Sequence, residues 1–184
     1  GGSFSTMEVR IPDNCLLNAK EPAACEWYFT GLGLLGDLMI SCLSEAMPAK
    51  ATAAHYGDSM VAAFFQMDKG EDSWISVEPT AGGWGGTNGG DGESALINLV
   101  NGGFRNIPAE VYETKFPVRV EEFSLRRDSG GAGRWRGGCG VTRTYLLLED
   151  CYGALWFERE RTPAWGLAGG QSGAGPANDI LGPG

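Results

Sequence analysis

His55, the only histidine among 184 residues, ends the segment TAAH (52–55), and Ser129 lies within DSGG (128–131). A serine and a histidine brought together can make a nucleophile. The imidazole takes the hydroxyl proton while a buried aspartate holds the ring. A second chemistry is offered by Glu110 and Glu113 in NIPAEVYET (106–114). If Pro108 opens a helical turn, carboxylates three positions apart point to one side. Such a pair can bind a cation, or split its pKa values into an acid and a base. A third is the segment GGWGGTNGGDGE (82–93), which has seven glycines in positions 82–92 and includes Asp91. Glycines let a backbone approach a ligand closely, and successive N–H groups can cradle an anion.

Each of these has a plainer counterpart. Glu110 and Glu113 could form a solvated turn, and the glycine segment could pack at a subunit contact. The serine–histidine pair resembles the signatures of trypsin-like proteases in their usual order, but the surroundings disagree. Arg127 stands where that family has a glycine, Tyr56 follows the histidine in place of a cysteine, and His55 follows a long helix. A histidine satisfied by local hydrogen bonds is the better reading. The glycine segment lacks a following Lys-Ser/Thr, so it makes no phosphate loop, and no strand-then-helix frame makes it a dinucleotide fingerprint.

Charge and composition narrow the classes. The chain is 42% hydrophobic, with a net charge of −9. So acidic a surface repels phosphate backbones and sets nucleic acid aside as a partner. Eight arginines lie between Arg119 and Arg161, among seven acids. They form ion pairs on a sheet rim, or some of them face a carboxylate or a partner subunit. Five cysteines, none in Cys-x-x-Cys spacing, together with one histidine, assemble no familiar zinc cluster. They read as small buried hydrophobes in a reducing, cytoplasmic setting. No apolar run is long enough for a membrane span. The N-terminal GGSFSTMEV has no basic head and apolar stretch of a signal peptide, and it does not begin with methionine. The chain is expected to be a single domain, 1–184, or a fragment of a larger subunit.

The elements that must position these residues follow from periodicity. Residues 7–18 begin as an alternating strand and turn at Pro12-Asp13-Asn14. From Leu32 to Met47 the pattern is helical. Leu35, Leu38, Met39, Cys42, Leu43, Ala46 and Met47 form one stripe, with Asp37, Ser41, Ser44 and Glu45 on the other. Pro48 ends this helix. Gly31, Gly33 and Gly36 cost helix propensity, which close packing against another backbone would justify. Residues 61–67 and 73–79 predict a hairpin around a polar turn at 68–72. Residues 111–125 contain a strand whose alternation slips at Glu121-Glu122, as at a bulge. Two further strands fall at 140–150 and 152–160. The fold class is α+β, predominantly strands, with one substantial helix at about 32–47 and long glycine-rich loops.

From Gly82 to Gly175 the sequence resembles the hydantoinase B/oxoprolinase family. The family's glycine loop resembles GGWGGTNGGDG (82–92), and its Asn-x-Pro-x-Glu-x-x-Glu stretch resembles NIPAEVYE (106–113). The most specific match is DSGGAGRWRGGCG (128–140), followed by ERERTPAWGLAGG (158–170), while IPDNCLLNAKEPAA (11–24) keeps the family's order. The resemblance implies that Ser129 shapes a structural turn and is not a nucleophile. It implies the C-terminal part of a hydantoinase B-type subunit, because the family's N-terminal metal-site stretches do not occur here. A divalent metal would belong to that preceding portion, and none to this chain alone.

What the resemblance implies for chemistry is an ATP-dependent multi-subunit enzyme that opens a cyclic amide: a hydantoin, 5-oxoproline or a lactam. Alternatives are a ketone carboxylase of the acetone or acetophenone type, or a non-catalytic assembly subunit. ATP and Mg2+ would sit on a partner subunit of the hydantoinase A type, within a hetero-oligomer that also includes the N-terminal portion of the large subunit. Asp91, Glu110 and Glu113 would serve as acid/base or orienting carboxylates. Arg136 and Arg159 would hold a substrate carboxylate or phosphate.

Overall fold

The structure, a computed structural model, describes residues 5–6, 8–25, 29–57 and 60–182. These residues form an α+β fold of two helices and five strands in two antiparallel sheets, joined by extended coil. Helix α1 spans Phe29–Leu43. Strands β1 (Val61–Gln66) and β2 (Trp74–Pro79) form the hairpin read from sequence, with Val61 opposite Pro79 and Gln66 opposite Trp74. A short 3-10 turn at Gly70–Asp72 lies in the connection. Helix α2 covers Ala109–Lys115. Strands β3 (Val118–Leu125) and β4 (Val141–Leu147) pair by themselves, and β5 (Tyr152–Trp156) joins β1 to give the sheet order β2-β1-β5.

Sequence patterning accounts for most of this. The register of β3 against β4 shifts between Val120 and Glu122, where alternation slips. Pro108 precedes α2, its carbonyl accepts from the Tyr112 N–H at 3.0 Å, and Glu110 and Lys115 sit at the ends that suit the helix dipole. Residues 8–18 are corrected: they form turns and coil, not a strand, and Met7, where that strand was to begin, lies outside the described residues. A strand needs a neighbour for its backbone groups, and Val9 and Ile11 stand exposed with none. Tyr112, in the stretch 111–125 read as containing a strand, belongs to α2 and is buried.

Helix α1 starts three residues before the predicted boundary and stops four short of it, giving way to a turn at 44–46. Its orientation is the larger departure. Gly33 and Asp37 are buried, whereas Leu32, Leu34, Leu38, Met39 and Leu43 are exposed. The leucine stripe therefore faces outward and the polar side faces in. Two glycines make the inward face possible. A Cβ on Gly33 would sit 3.1 Å from the Gly57 carbonyl oxygen, and one on Gly36 would sit 3.1 Å from Leu99 Cδ1.

Among the described residues the buried apolar set is small: Ala54, Met60, Val61, Ala62, Ala63, Ala81, Tyr112 and Val118. The accessible surface is 12666 Å². A compact monomer of 19.5 kDa would expose roughly 8,500 Å² by the usual mass scaling. Surface of this extent, with an outward leucine face, suits a chain whose neighbours complete its core. The cysteines depart from their expected burial in the same way. Cys25 and Cys42 are exposed and all five are free thiols. Among the described residues no helix is long and apolar enough to cross a membrane.

Candidate functional site

Three glycine-rich segments, 82–92, 128–140 and 166–175, are knitted together by backbone hydrogen bonds. Gly138 N–H donates to Trp84 O at 2.9 Å, Gly92 N–H to Arg136 O at 2.7 Å, and Gln171 N–H to Ala132 O at 2.8 Å. At Gly83 a Cβ would lie 2.0 Å from the Gly138 carbonyl oxygen, and at Gly138 it would lie 1.9 Å from that of Glu93. No side chain fits there, so the glycines are required by contact. Trp84 anchors the first segment through Nε1 to the Ile97 carbonyl at 2.8 Å. Ser129 belongs to this knit: its hydroxyl donates to Arg126 O at 2.6 Å and accepts from Gly140 N–H at 2.9 Å. With both capacities used in a turn, the serine is structural, and Asp128 beside it takes a positive φ of 58°.

The knit positions His55. Residues 53–56 lie along it through Ala53 N–H to Gly86 O, Tyr56 N–H to Gly83 O and Ala54 N–H to Trp165 O, each at 3.0 Å. Held this way, His55 turns its ring toward α1, where Nδ1 stands 2.7 Å from Asp37 Oδ2. The His55 backbone N–H reaches Asp37 Oδ1 at 3.4 Å. Arg159 closes the cluster. Its Nη2 donates to the same Oδ2, and its guanidinium lies 4.7 Å over the Trp165 ring. Asp37, His55 and Arg159 retain 3, 2 and 7% of their surface. Burying an ion pair is costly unless every polar atom is matched. Here His55 Nε2 and Arg159 Nε and Nη1 are buried with no hydrogen-bond partner among the described residues. Arg159 also holds φ at 63°, a left-handed conformation rare outside glycine. Arg159 and Tyr56 border an open cleft of about 2150 Å³ that runs along the glycine knit.

A second buried cluster joins the sheets. Arg143 Nη1 donates to Glu78 Oε2 at 3.0 Å and to the Tyr145 hydroxyl at 3.2 Å, and Nη2 to Asn106 Oδ1 at 2.6 Å. Its guanidinium lies 4.4 Å from the Phe123 ring. Next to it the hydroxyls of Ser76 and Tyr112 share a hydrogen bond. Burial pushes the Tyr112 pKa up to about 12, against a smaller lowering by Ser76, and raises that of Tyr145.

The residues singled out from sequence are spread out. Asp91 Oδ1 accepts the Arg136 backbone N–H at 2.7 Å, so the pair meets through main chain. The Arg136 side chain is exposed and borders a separate hollow of about 780 Å³ with Ser94, Glu122, Arg126 and Arg127. Glu113 Oε1 accepts Val120 N–H at 2.8 Å and ties α2 to β3, while Glu110 is exposed on the first turn of α2. No hydrogen bond among the described residues joins Asp91, Glu110 and Glu113 to one another. No group of three or more His, Cys, Asp or Glu side chains among them could hold a metal ion. Sequence reasoning missed Asp37, which looked like the solvent side of α1; the glycines at 33 and 36 were the available signal that this side packs.

Comparison with known proteins gives a consistent answer. An uncharacterized protein of Methanocaldococcus jannaschii is 34% identical over 174 residues, covering 94% of this chain and 30% of its own length. A Pseudomonas sp. protein, named for the B component of a D-/L-hydantoinase, is 28% identical over 172 residues, covering 94% of this chain and 28% of its own. Arabidopsis thaliana 5-oxoprolinase 1 is 27% identical, covering 98% and 13%. The chain thus spans less than a third of these curated relatives. Among solved structures, a nucleotide-free acetone carboxylase shares the fold with a TM-score of 0.56 and 22% identity, over 81% of this chain and 19% of that one. The family model for hydantoinase B/oxoprolinase matches residues 1–181, and the chain belongs to that family.

Proposed function

We propose that this chain is the C-terminal part of a hydantoinase B-type large subunit in an ATP-dependent enzyme that opens a cyclic amide. The observation that carries this reading is the family match over residues 1–181, set beside a buried Asp37–His55–Arg159 cluster whose outer polar atoms have no partner among the described residues. In this reading a hydantoinase A-type ATPase subunit supplies ATP chemistry with Mg2+, in a cytoplasmic hetero-oligomer, and the preceding part of the large subunit completes the active site. A lactam carbonyl is a poor electrophile, and phosphoryl transfer to its oxygen gives it a leaving group. This chain's residues bind and orient. Arg159 holds polar substrate groups on the cleft side and Arg136 on its separate hollow; Glu110 is the carboxylate open for proton transfer, while Asp91 and Glu113, held by backbone N–H groups, orient.

The test is reconstitution of the full large subunit with its ATPase partner. Expected is ring opening of hydantoin or 5-oxoproline coupled to ATP hydrolysis without bicarbonate. ATP turnover seen only with a ketone plus bicarbonate would replace this reading with the carboxylase one, and an assembly inert to both substrate classes would leave a structural role. In the active complex, Glu110→Gln lowers turnover on the order of 10²-fold or more if Glu110 transfers a proton. Unchanged turnover with intact assembly removes Glu110 from that role.

A further inference from the structure

We propose that the unpartnered edge of the Asp37–His55–Arg159 cluster binds an uncharged amide edge, the adjacent C=O and N–H of a lactam or imide ring. The proposal rests on the functional reading above and adds a site and a ligand chemistry to it. A carboxylate accepts hydrogen bonds and does not donate them, so the 2.7 Å contact to Asp37 assigns the Nδ1 proton to His55. In the neutral ring that leaves a lone pair on Nε2, an acceptor. Arg159 Nε and Nη1 are donors. An acceptor and donors set side by side, buried and unused, complement a ligand that carries a donor beside an acceptor.

Charge makes the same selection. Arg159 is neutralised by Asp37 on a shared oxygen, so the cluster holds no surplus cation for a carboxylate or phosphate. An incoming anion would also meet the Asp37 carboxylate in a low-dielectric setting. Both unused edges lie beside the same pair of contacting glycines. A Cβ on Gly33 would stand 3.6 Å from His55 Nε2 and 3.1 Å from the Gly57 oxygen, and a Cβ on Gly57 would stand 3.2 Å from Arg159 Nε. Gly57 adopts φ of 112°, which side chains rarely tolerate. The two glycines thus bring α1 and residue 57 into direct contact beside both unused edges, with no side chain of their own to cover them. Of the cluster, Arg159 borders the open cleft, with Tyr56 and Ala54 beside it, and a ligand would enter from that side. Buried polar atoms left unmatched are rare in native proteins, so these atoms have a partner in the working assembly.

The test is calorimetric binding to the assembled subunits without nucleotide, using hydantoin and 2-pyrrolidinone as neutral probes and acetate and phosphate as anions. Expected is one site per large subunit for the neutral probes, with neither anion competing. Gly33→Ala favours the helix but places a methyl against Nε2, and is expected to weaken the neutral probes at least 10-fold. Arg159→Lys keeps the charge on Asp37, removes Nε and Nη1, and is expected to do the same. Equal or tighter binding of the anions would overturn the proposal, as would affinity indifferent to both variants. A crystal structure with a probe soaked in, showing only an ordered water at Nε2, would also overturn it. ATP-dependent lactam turnover with binding indifferent to Gly33→Ala would sink this site and spare the function. Lactam binding lost in Gly33→Ala, with no ATP-dependent turnover, would spare the site and sink the function.

Discussion

Among the described residues two ionic clusters stand out, and they are built differently. Arg143 is clasped by Glu78, Tyr145 and Asn106 and capped by the Phe123 ring, and among the described residues the cluster contributes no unmatched buried polar atom. It sits where the two sheets meet, beside Phe64 and Tyr145, whose rings are 5.3 Å apart. The Asp37 cluster is the more deeply buried, yet three of its nitrogens are unmatched and Arg159 sits on strained backbone. A fully matched network fixes a packing arrangement. A half-matched one is destabilising as it stands, so its retention points to a partner from outside the described residues. The difference separates an assembly device from a site.

Removing one member of the matched cluster has the largest expected effect. Arg143→Met strands Glu78 as a buried charge, and a loss of about 3–5 kcal/mol is expected in denaturant unfolding. A loss below about 1 kcal/mol would show that Arg143 does not hold the sheets together, and would break the comparison. Ser129→Ala comes next. It strips two hydrogen bonds from the glycine knit, with an expected cost of about 1–3 kcal/mol and unchanged turnover per folded complex. Loss of activity with stability intact would return Ser129 to the chemistry.

How much was legible from sequence follows the same division. The structural part played by Ser129 comes from the family resemblance of residues 128–140, whereas the hairpin of β1 and β2, the bulge in β3 and the turn at Pro108 rest on local pattern. Each of the latter was readable because the residues that specify it are neighbours in the chain. The Asp37 cluster was not readable, because its members lie 18 and 122 positions apart. No motif links them; the glycine knit brings them together. Helix α1 misled for a related reason. Periodicity shows that a helix has two faces, but burial depends on what covers each face, and here the small and polar face packs inward on Gly57 and His55. Asp91 and Glu113 were noticed as carboxylates, whereas the bonds they make are to backbone N–H groups of Arg136 and Val120.

The smallest expected effect sharpens the matched side. Tyr112, with its pKa pushed up to about 12, stays protonated in the folded chain above the range of an ordinary tyrosine near 10. The folded state therefore holds this proton more tightly than the unfolded state. The stability this contributes is fully present below about pH 10 and is lost as pH rises toward about 12. An absorbance titration should show two late tyrosinates, Tyr112 and Tyr145, and Ser76→Ala, which removes a contact that lowers the Tyr112 pKa, should move that of Tyr112 upward. Burial dominates, so the expected move is slight.

The most direct test of the central claim is steady-state kinetics of His55→Asn, whose amide keeps a donor for Asp37 and removes the Nε2 edge, in the assembled enzyme, with the melting temperature of the same sample. Loss of a hydrogen bond to substrate is expected to raise KM for the lactam about 10-fold or more, with melting within a few degrees of the parent. Unchanged KM and kcat, or a melting loss matching that of Arg143→Met, would contradict the account and make the Asp37 cluster a second packing device.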